Sequence, residues 1–382
     1  MKRMMVVVTA ALTVVLARTS LGDEGLPGKM NMYGAPLPPL GQTWTEIDGQ
    51  VYGAQPDERG PIGGGRGYRA GVTRGDHQAS NLDTLLEALG EVKAGEVVFI
   101  PGDVMIDCTT RVHIEKLVLK VPAGVTLAGD RGHNGSEGAM ITSDAFATDP
   151  LVEAVGPGVR VTGLRLRGPD PHRRLDHHRR SFGEMGGHDY YYKFPLSVGI
   201  RSAHPNLEVD NCELAGWSHG AIYLVDGEGH HLHHNYIHHC QYTGMGYGVV
   251  LNRAFVLVER NLFNHNRHSI AGTGRTPSGY EAAHNVEIGV SLSHMFDMHG
   301  GRDRRDGTNI AGTRMSFHHN TFRCPKTAIV IRGRPEEPVE INHNWFIHPS
   351  PQKAVHPSDA PDHIRIRNNA YDLQQPEIRD RR

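Results

Sequence analysis

The chain is poor in cysteine, balanced in charge and short of apolar runs, and each shortage removes a class of protein. Only four Cys occur in 382 residues, at 108, 212, 240 and 324, and none are in CxxC spacing. That argues against a thioredoxin-like motif and against the usual ligand pattern of a structural zinc site. Export would permit disulfides, but the spacing specifies no pairing. Forty Lys and Arg stand against 42 Asp and Glu, for a formal charge of -2. Such a balance lacks the basic field that marks nucleic-acid binders, so nucleic acid is not an expected partner. The most apolar stretch, residues 4–16, is shorter than the roughly 20 residues a spanning helix needs, and no later stretch is longer. It follows Lys2 and Arg3 and precedes the small residues Ser20 and Gly22 and the acidic pair Asp23 and Glu24. That order reads as a secretory signal peptide over residues 1–22. The mature protein is expected to be secreted or periplasmic, with no membrane partner after cleavage. An uncleaved anchor over 4–16 is the other reading, and no Cys follows closely enough for a lipoprotein.

What is abundant is glycine, 46 residues, and histidine, 26. Glycine implies many turns, and so much histidine exceeds what packing alone commonly uses. The phrases VDNCEL, LHHNYI, VERNLF, AHNVEI, FHHNTF, INHNWF and RIRNNAY share an Asn. These are Asn211, Asn235, Asn261, Asn285, Asn320, Asn344 and Asn368, spaced by 24, 26, 24, 35, 24 and 24 residues. A weaker copy, VRVTGLRL, carries Gly163 at the Asn position. A period near 24 without an LxxLxL signature suits one coil of a parallel β-helix. The flanks agree. Val256 and Val258, Met315 and Phe317, and Val339 and Ile341 alternate ahead of their Asn as on a strand with one buried face. Ile237, Phe263, Phe322 and Phe346 each follow it by two residues, where they can stack in a core. The Asn is expected to sit in a left-handed turn, which Asn tolerates, and to hydrogen-bond its equivalents above and below.

Upstream, the apolar-spaced LDTLLEALG (82–90), then GEVVFIPGD (95–103) and LVLKVPAGVTLAGDRG (117–132) resemble the opening of the pectate-lyase-like right-handed β-helix proteins. In that family a capping helix precedes a strand, a Pro-Gly turn and a further strand. The resemblance spans roughly 82–371 and implies an all-β, right-handed parallel β-helix of about a dozen coils. It implies carbohydrate as partner but no single reaction, because the superfamily hosts lyases, hydrolases, epimerases and non-catalytic adhesins. The expected organisation is a Gly/Pro-rich lead-in over 23–80, lying outside the solenoid or partly disordered, a β-helix domain over 81–372 and a tail over 373–382.

Two segments interrupt the repeat, and insertions in a solenoid map to loops that commonly line one binding face. The first, 168–194, concentrates His, Arg and Tyr, including Tyr191, and reads either as a solvated loop or as a wall for an anionic sugar. The second, 291–309, crowds His294, Asp297 and His299 ahead of Arg302, Asp303, Arg304 and Asp306. His294, Asp297 and His299 are candidate ligands for a divalent metal, and without metal they read as a catalytic His held by an Asp. Counting from the repeat Asn places His219, His268 and His294 on one stripe, with Tyr247 and Lys326 in the corresponding strands and Arg275 in the glycine-flanked RHSIAGTGR. The repeated His before each Asn, such as His233, His318 and His343, read as turn and surface positions.

The leading function from these residues is a polysaccharide lyase acting on an anionic, uronate-containing glycan. β-Elimination needs a base for the C5 proton, a cation for the carboxylate and an acid for the leaving oxygen. The expected base is His268, at a strand edge outside the core, with His299 and Asp297 beside it. Arg302 or Arg275 would take the carboxylate and Tyr247 would serve as acid. His219, Arg304, Tyr191 and Lys326 complete the expected substrate contacts. A C5-epimerase shares the first step. A glycoside hydrolase would need two carboxylates, with Asp297 and Asp303, Asp306 or Asp226 as candidates. A non-catalytic glycan-binding protein would lack a cleft joining His268 to the 302 segment.

Overall fold

A computed structural model describes residues 30–37, 40–289, 291–357 and 360–372. The expected signal peptide and C-terminal tail lie outside the described residues. Within them the chain winds as a three-sided solenoid of short parallel strands. In each coil it passes in order through three faces, designated here A, C and B. Face A runs from Val97–Phe99 and Thr126–Ala128 to Val339–Asn342 and Ile364–Ile366. Face C is a separate ten-stranded sheet from Met105–Asp107 to Ala370–Tyr371. Face B includes Val152–Ala154, Val198–Ser202, His268–Gly272, Phe296–Met298 and Ile329–Ile331. The long strands Gly220–His233 and Tyr247–Glu259 turn the corner from B to A, joining those two faces into one 18-stranded sheet.

The alternation read from the repeat is what builds the core. On face A the register partners Val98, Leu127, Val161, Val209, Leu232, Val258, Ala282, Phe317 and Ile341 all point inward and are fully buried. On face C, Phe322 stacks on Phe346 at 5.1 Å and 6°, and Phe346 on Tyr371 at 5.4 Å and 13°. Phe263 is buried in the same inward row. One member breaks the pattern: Glu287, between Phe263 and Phe322 in register, is also buried. Its Oε2 accepts from the Ser269 hydroxyl at 2.5 Å, and Oε1 has no partner.

The Asn column exists, with its register corrected by one residue at each end. The backbone N–H and Nδ2 of Asn235 both donate to Oδ1 of Asn261, and the same double bond links Asn261 to Asn285, Asn285 to Asn320, and Asn320 to Asn344. Asn344 then donates to Asn369, not Asn368, and Asn235 receives the N–H of Cys212, not Asn211. The left-handed residue of the turn is the one before each ladder member: Asn211, His234, Arg260, His284, His319, His343 and Asn368 all have φ between 49° and 55°. Asn is therefore selected here for its two-ended amide, not for tolerance of positive φ.

Helix Leu82–Glu91 forms where the apolar spacing placed it, capped by Asn81, with Leu85, Ala88 and Leu89 buried against the first strands. Both insertions, expected as loops, contain helix: Leu175–Gly183 and His188–Tyr191 in the first, Gly301–Arg304 in the second. No helix among the described residues is long and apolar enough to cross a membrane. All four Cys are buried free thiols. The described part of the lead-in packs on the outside, with Leu37, Ala54 and Ile62 against Tyr236, Leu262 and Val286 of face C. It then follows the turn column. Gly53 N–H donates to His343 O, Gly63 N–H to Arg260 O, and Gly65 N–H to Asn211 Oδ1. Gly64, at φ +65°, lies where any Cβ would collide with the His234 carbonyl oxygen.

Two measurements check this core. Phe322→Ala should lower unfolding free energy by about 3–5 kcal/mol in chemical denaturation, since it leaves a ring-sized cavity between stacked neighbours. Burial pushes the Glu287 carboxyl up to about 8 from an ordinary 4.5. Between those values the native state holds a proton that the unfolded chain has released, so this group makes stability fall as pH rises from about 4.5 to 8. Glu287→Gln should flatten that part of the stability–pH curve, and an unaltered slope would contradict the assignment.

Candidate active site on face B

Inward Phe296 and Met298 alternate with Asp297, which faces outward on face B yet is fully buried by the side chains gathered around it. Arg332 donates Nε to Oδ1 at 3.0 Å and Nη2 to Oδ2 at 2.8 Å, a bidentate pair. His294 Nε2 lies 3.0 Å from Oδ1 and His299 Nε2 2.9 Å from Oδ2. His268 Nε2 is farther, 3.7 Å from Oδ2. Burial by itself would raise the Asp297 pKa, but contacts with His294 and His299 and the charge of His268 outweigh it and hold the carboxyl well below the usual range. Arg332 also reaches Asp303 Oδ1 at 3.2 Å, tying helix Gly301–Arg304 to the cluster.

His268, His294, Asp297 and His299 thus come together, but His268 is not at an exposed edge. It is fully buried, its ring stacked on Tyr247 at 5.7 Å and 11° and lying 4.1 Å from that of His294. Its Nδ1 is 2.5 Å from the His294 carbonyl oxygen, and burial drives its pKa well below 6.5. Tyr247 is buried too; its hydroxyl donates to Gly244 O at 3.3 Å, and burial pushes its pKa up to about 12. The groups of this cluster that meet solvent are Arg332 and His299, each with about a quarter of its side chain exposed, and His294, with 16%.

Several expected substrate contacts are occupied by packing. Tyr191 is buried, stacked on Tyr242 at 4.8 Å and 9°, and its hydroxyl donates to Thr243 O. Arg304 folds its own loop, donating to Thr273 O, Ile310 O and Asp306. His219 packs against Tyr223 at 5.1 Å, and burial lowers its pKa. Arg302, Arg275 and Lys326 are exposed, the first on the short helix beside Asp303, the others on turns at opposite ends of face B strands. The guanidinium that grips Asp297 belongs to Arg332. Sequence counting missed it, although it directly follows Ile331, the register partner of Met298.

Donor atoms of His268, His294 and Asp297 lie within 4.8 Å of one another. Neither this set nor the expected His294, Asp297 and His299 fits a divalent ion. Both Asp297 oxygens carry Arg332, whose Nη2 also lies 3.1 Å from His294 Nε2, so a cation would meet a fixed positive charge.

The two insertions lie at opposite ends of the face B strands, 168–194 entering the face before Val198–Ser202 and Gly301–Arg304 leaving it after Phe296–Met298. The family description "Right handed beta helix region" matches residues 197–371. The fold is a right-handed parallel β-helix, and the matched region takes in its coils from Val198–Ser202 onward. Similar solved structures include an alginate lyase from Paenibacillus sp. str. FPU-7, 12% identical, TM-score 0.41, covering 77% of this chain and 97% of that one. Another is a family 28 exopolygalacturonase from Yersinia enterocolitica, 12% identical, TM-score 0.45, covering 76% and 67%. No curated protein sequence matches.

Removing the carboxylate at the centre of this network leaves the partly exposed Arg332 with Asp303 as its remaining carboxylate partner. Asp297→Ala should therefore cost about 1–3 kcal/mol of stability, read as a shifted denaturation midpoint. An unshifted midpoint would show that the network is not closed in solution.

Proposed function

We propose that the protein is an exported enzyme that cleaves a uronate-containing polysaccharide by β-elimination on face B, with His299 in place of His268 as the base. The observation that carries this reading is the contact of His299 with the buried, ionised Asp297. His299 Nε2 lies 2.9 Å from Asp297 Oδ2, off the line of a hydrogen bond, and the carboxylate's charge favours a proton on that nitrogen, leaving Nδ1 as the acceptor of an imidazole that reaches solvent. Asp297 fixes the tautomer and steadies the imidazolium that forms, while Arg332 keeps Asp297 charged. In the reaction Nδ1 takes the C5 proton, the electron pair forms the C4–C5 double bond, and the C4–O bond breaks. The imidazolium can return its proton to the departing oxygen. Arg302, on the helix tied to the cluster through Asp303, is the cation assigned to the uronate carboxylate.

A hydrolytic reading has one observation of its own. Asp297 and Asp303 flank a single guanidinium, so two carboxyl groups stand close together, as glycoside hydrolysis requires. One screen separates the readings: purified protein on acidic and neutral polysaccharides, scored both for ultraviolet-absorbing unsaturated ends and for reducing ends. Elimination gives both signals on acidic glycans, and hydrolysis gives reducing ends alone. His299→Ala should lower turnover about 10²-fold or more while the fold is kept, and Arg302→Ala should impair acidic substrates selectively. No cleavage of any uronate glycan, or full activity in folded His299→Ala, would overturn the proposal.

A further inference from the structure

Outside face B, the outward surface of face A gathers a second set of histidines and carboxylates that the elimination reading does not use. We infer that His231, His233 and Glu208 form a site for one divalent transition-metal ion of the zinc class, independent of the chemistry on face B. His231 and His233 alternate on strand Gly220–His233, so their rings leave the same side, with centroids 4.2 Å apart. Glu208 is the register partner of His231 in the preceding coil. One donor atom from each lies within 4.8 Å of the other two. Two imidazoles and a carboxylate are a common ligand set for such ions, leaving positions open for water.

The supports behind the ligands are already in place. Metal-bound imidazoles hand their other nitrogen to an acceptor that fixes the tautomer. His231 Nε2 lies 2.8 Å from Glu259 Oε1, and His233 Nδ1 lies 3.0 Å from Nδ1 of the buried His234. His234 Nε2 in turn meets Asp57 Oδ1 at 3.1 Å, a pure acceptor, so that nitrogen carries the proton. His233 Nε2 lies 3.2 Å from Glu208 Oε1, so the ring is held between His234 and the carboxylate. A separation of about 3 Å is also what two adjacent ligands show when each sits roughly 2.0–2.1 Å from one ion.

Access and charge are compatible. Glu208 is 40% and His231 29% exposed, while His233 forms the buried floor at 3%. Arg160 pairs with Glu208 Oε1 at 3.7 Å, beyond hydrogen-bond reach, while its Nε and Nη2 bond Asp210 at 2.8 Å. This is the opposite of Asp297, whose two oxygens are taken by a guanidinium. The other outward group, His284, His318 and His319, is less suited: Gln55 N–H donates to His284 Nδ1 at 3.2 Å, which leaves the proton on Nε2.

The test is titration of metal-free protein with Co²⁺ at neutral pH, followed by its visible ligand-field absorption. One equivalent should bind, Glu208→Gln and His231→Gln should each weaken binding at least tenfold, and His318→Ala should leave it intact. Absence of binding, binding untouched by both substitutions, or loss in His318→Ala would overturn the assignment. Anomalous diffraction from zinc-soaked wild-type crystals gives an answer that needs no variant. A peak between His231, His233 and Glu208 supports the site, and its absence there refutes it.

Discussion

The amide of the ladder Asn is the contact on which the solenoid depends. Each side chain accepts, through Oδ1, both the backbone N–H and the amide N–H of the coil before it, while its own Nδ2 also donates to backbone carbonyls such as Val209 O for Asn235. A tight turn buried beneath the lead-in would otherwise leave backbone groups without water or partner, at a cost of about 1–3 kcal/mol each. Because every ladder member satisfies its neighbour, the turn can repeat with little variation, and the faces on either side inherit a fixed register.

That fixed register gives the active-site candidate its character. A strand presents outward residues at an unchanging spacing from coil to coil, so Asp297, His299 and Arg332 meet across two adjacent coils with no adjustable loop in the central contacts. A fully buried carboxylate is costly unless its lone pairs are filled. Here a guanidinium bonds both oxygens, imidazoles lie in ion-pair range of them, and the outer imidazole, His299, is left facing solvent. Rigidity of scaffold and saturation of the buried charge are the conditions a precisely held proton acceptor needs.

The fold was legible because period-24 spacing and two-residue alternation are properties of the chain alone, as Val258, Phe317 and Ile341 show by being buried where alternation put them. The ladder register failed at Asn211 and Asn368: at one end Cys212 occupies the ladder position and Asn211 the left-handed turn, and at the other Asn368 and Asn369 are neighbours that only the amide bonding distinguishes. The crowding of His294, Asp297 and His299 was visible as composition, and the structure brings them together. Exposure was not visible. His268 is covered by Tyr247 and His294, side chains from neighbouring coils, and Tyr191 by Tyr242. Arg332 was missed because its partner lies 35 residues away, across one coil and an insertion.

Solenoids normally communicate only between nearest neighbours, so they can fray from an end one repeat at a time. The lead-in changes that arithmetic. Within the stretch 53–65 the same extended segment is bonded to turns at His343, Thr321, His284, His234, Arg260 and Asn211. Peeling the last coil therefore means first detaching a ribbon that is also fastened several coils away. Such a ribbon acts as a lengthwise splint. It couples distant repeats and favours loss of this half of the solenoid as a unit.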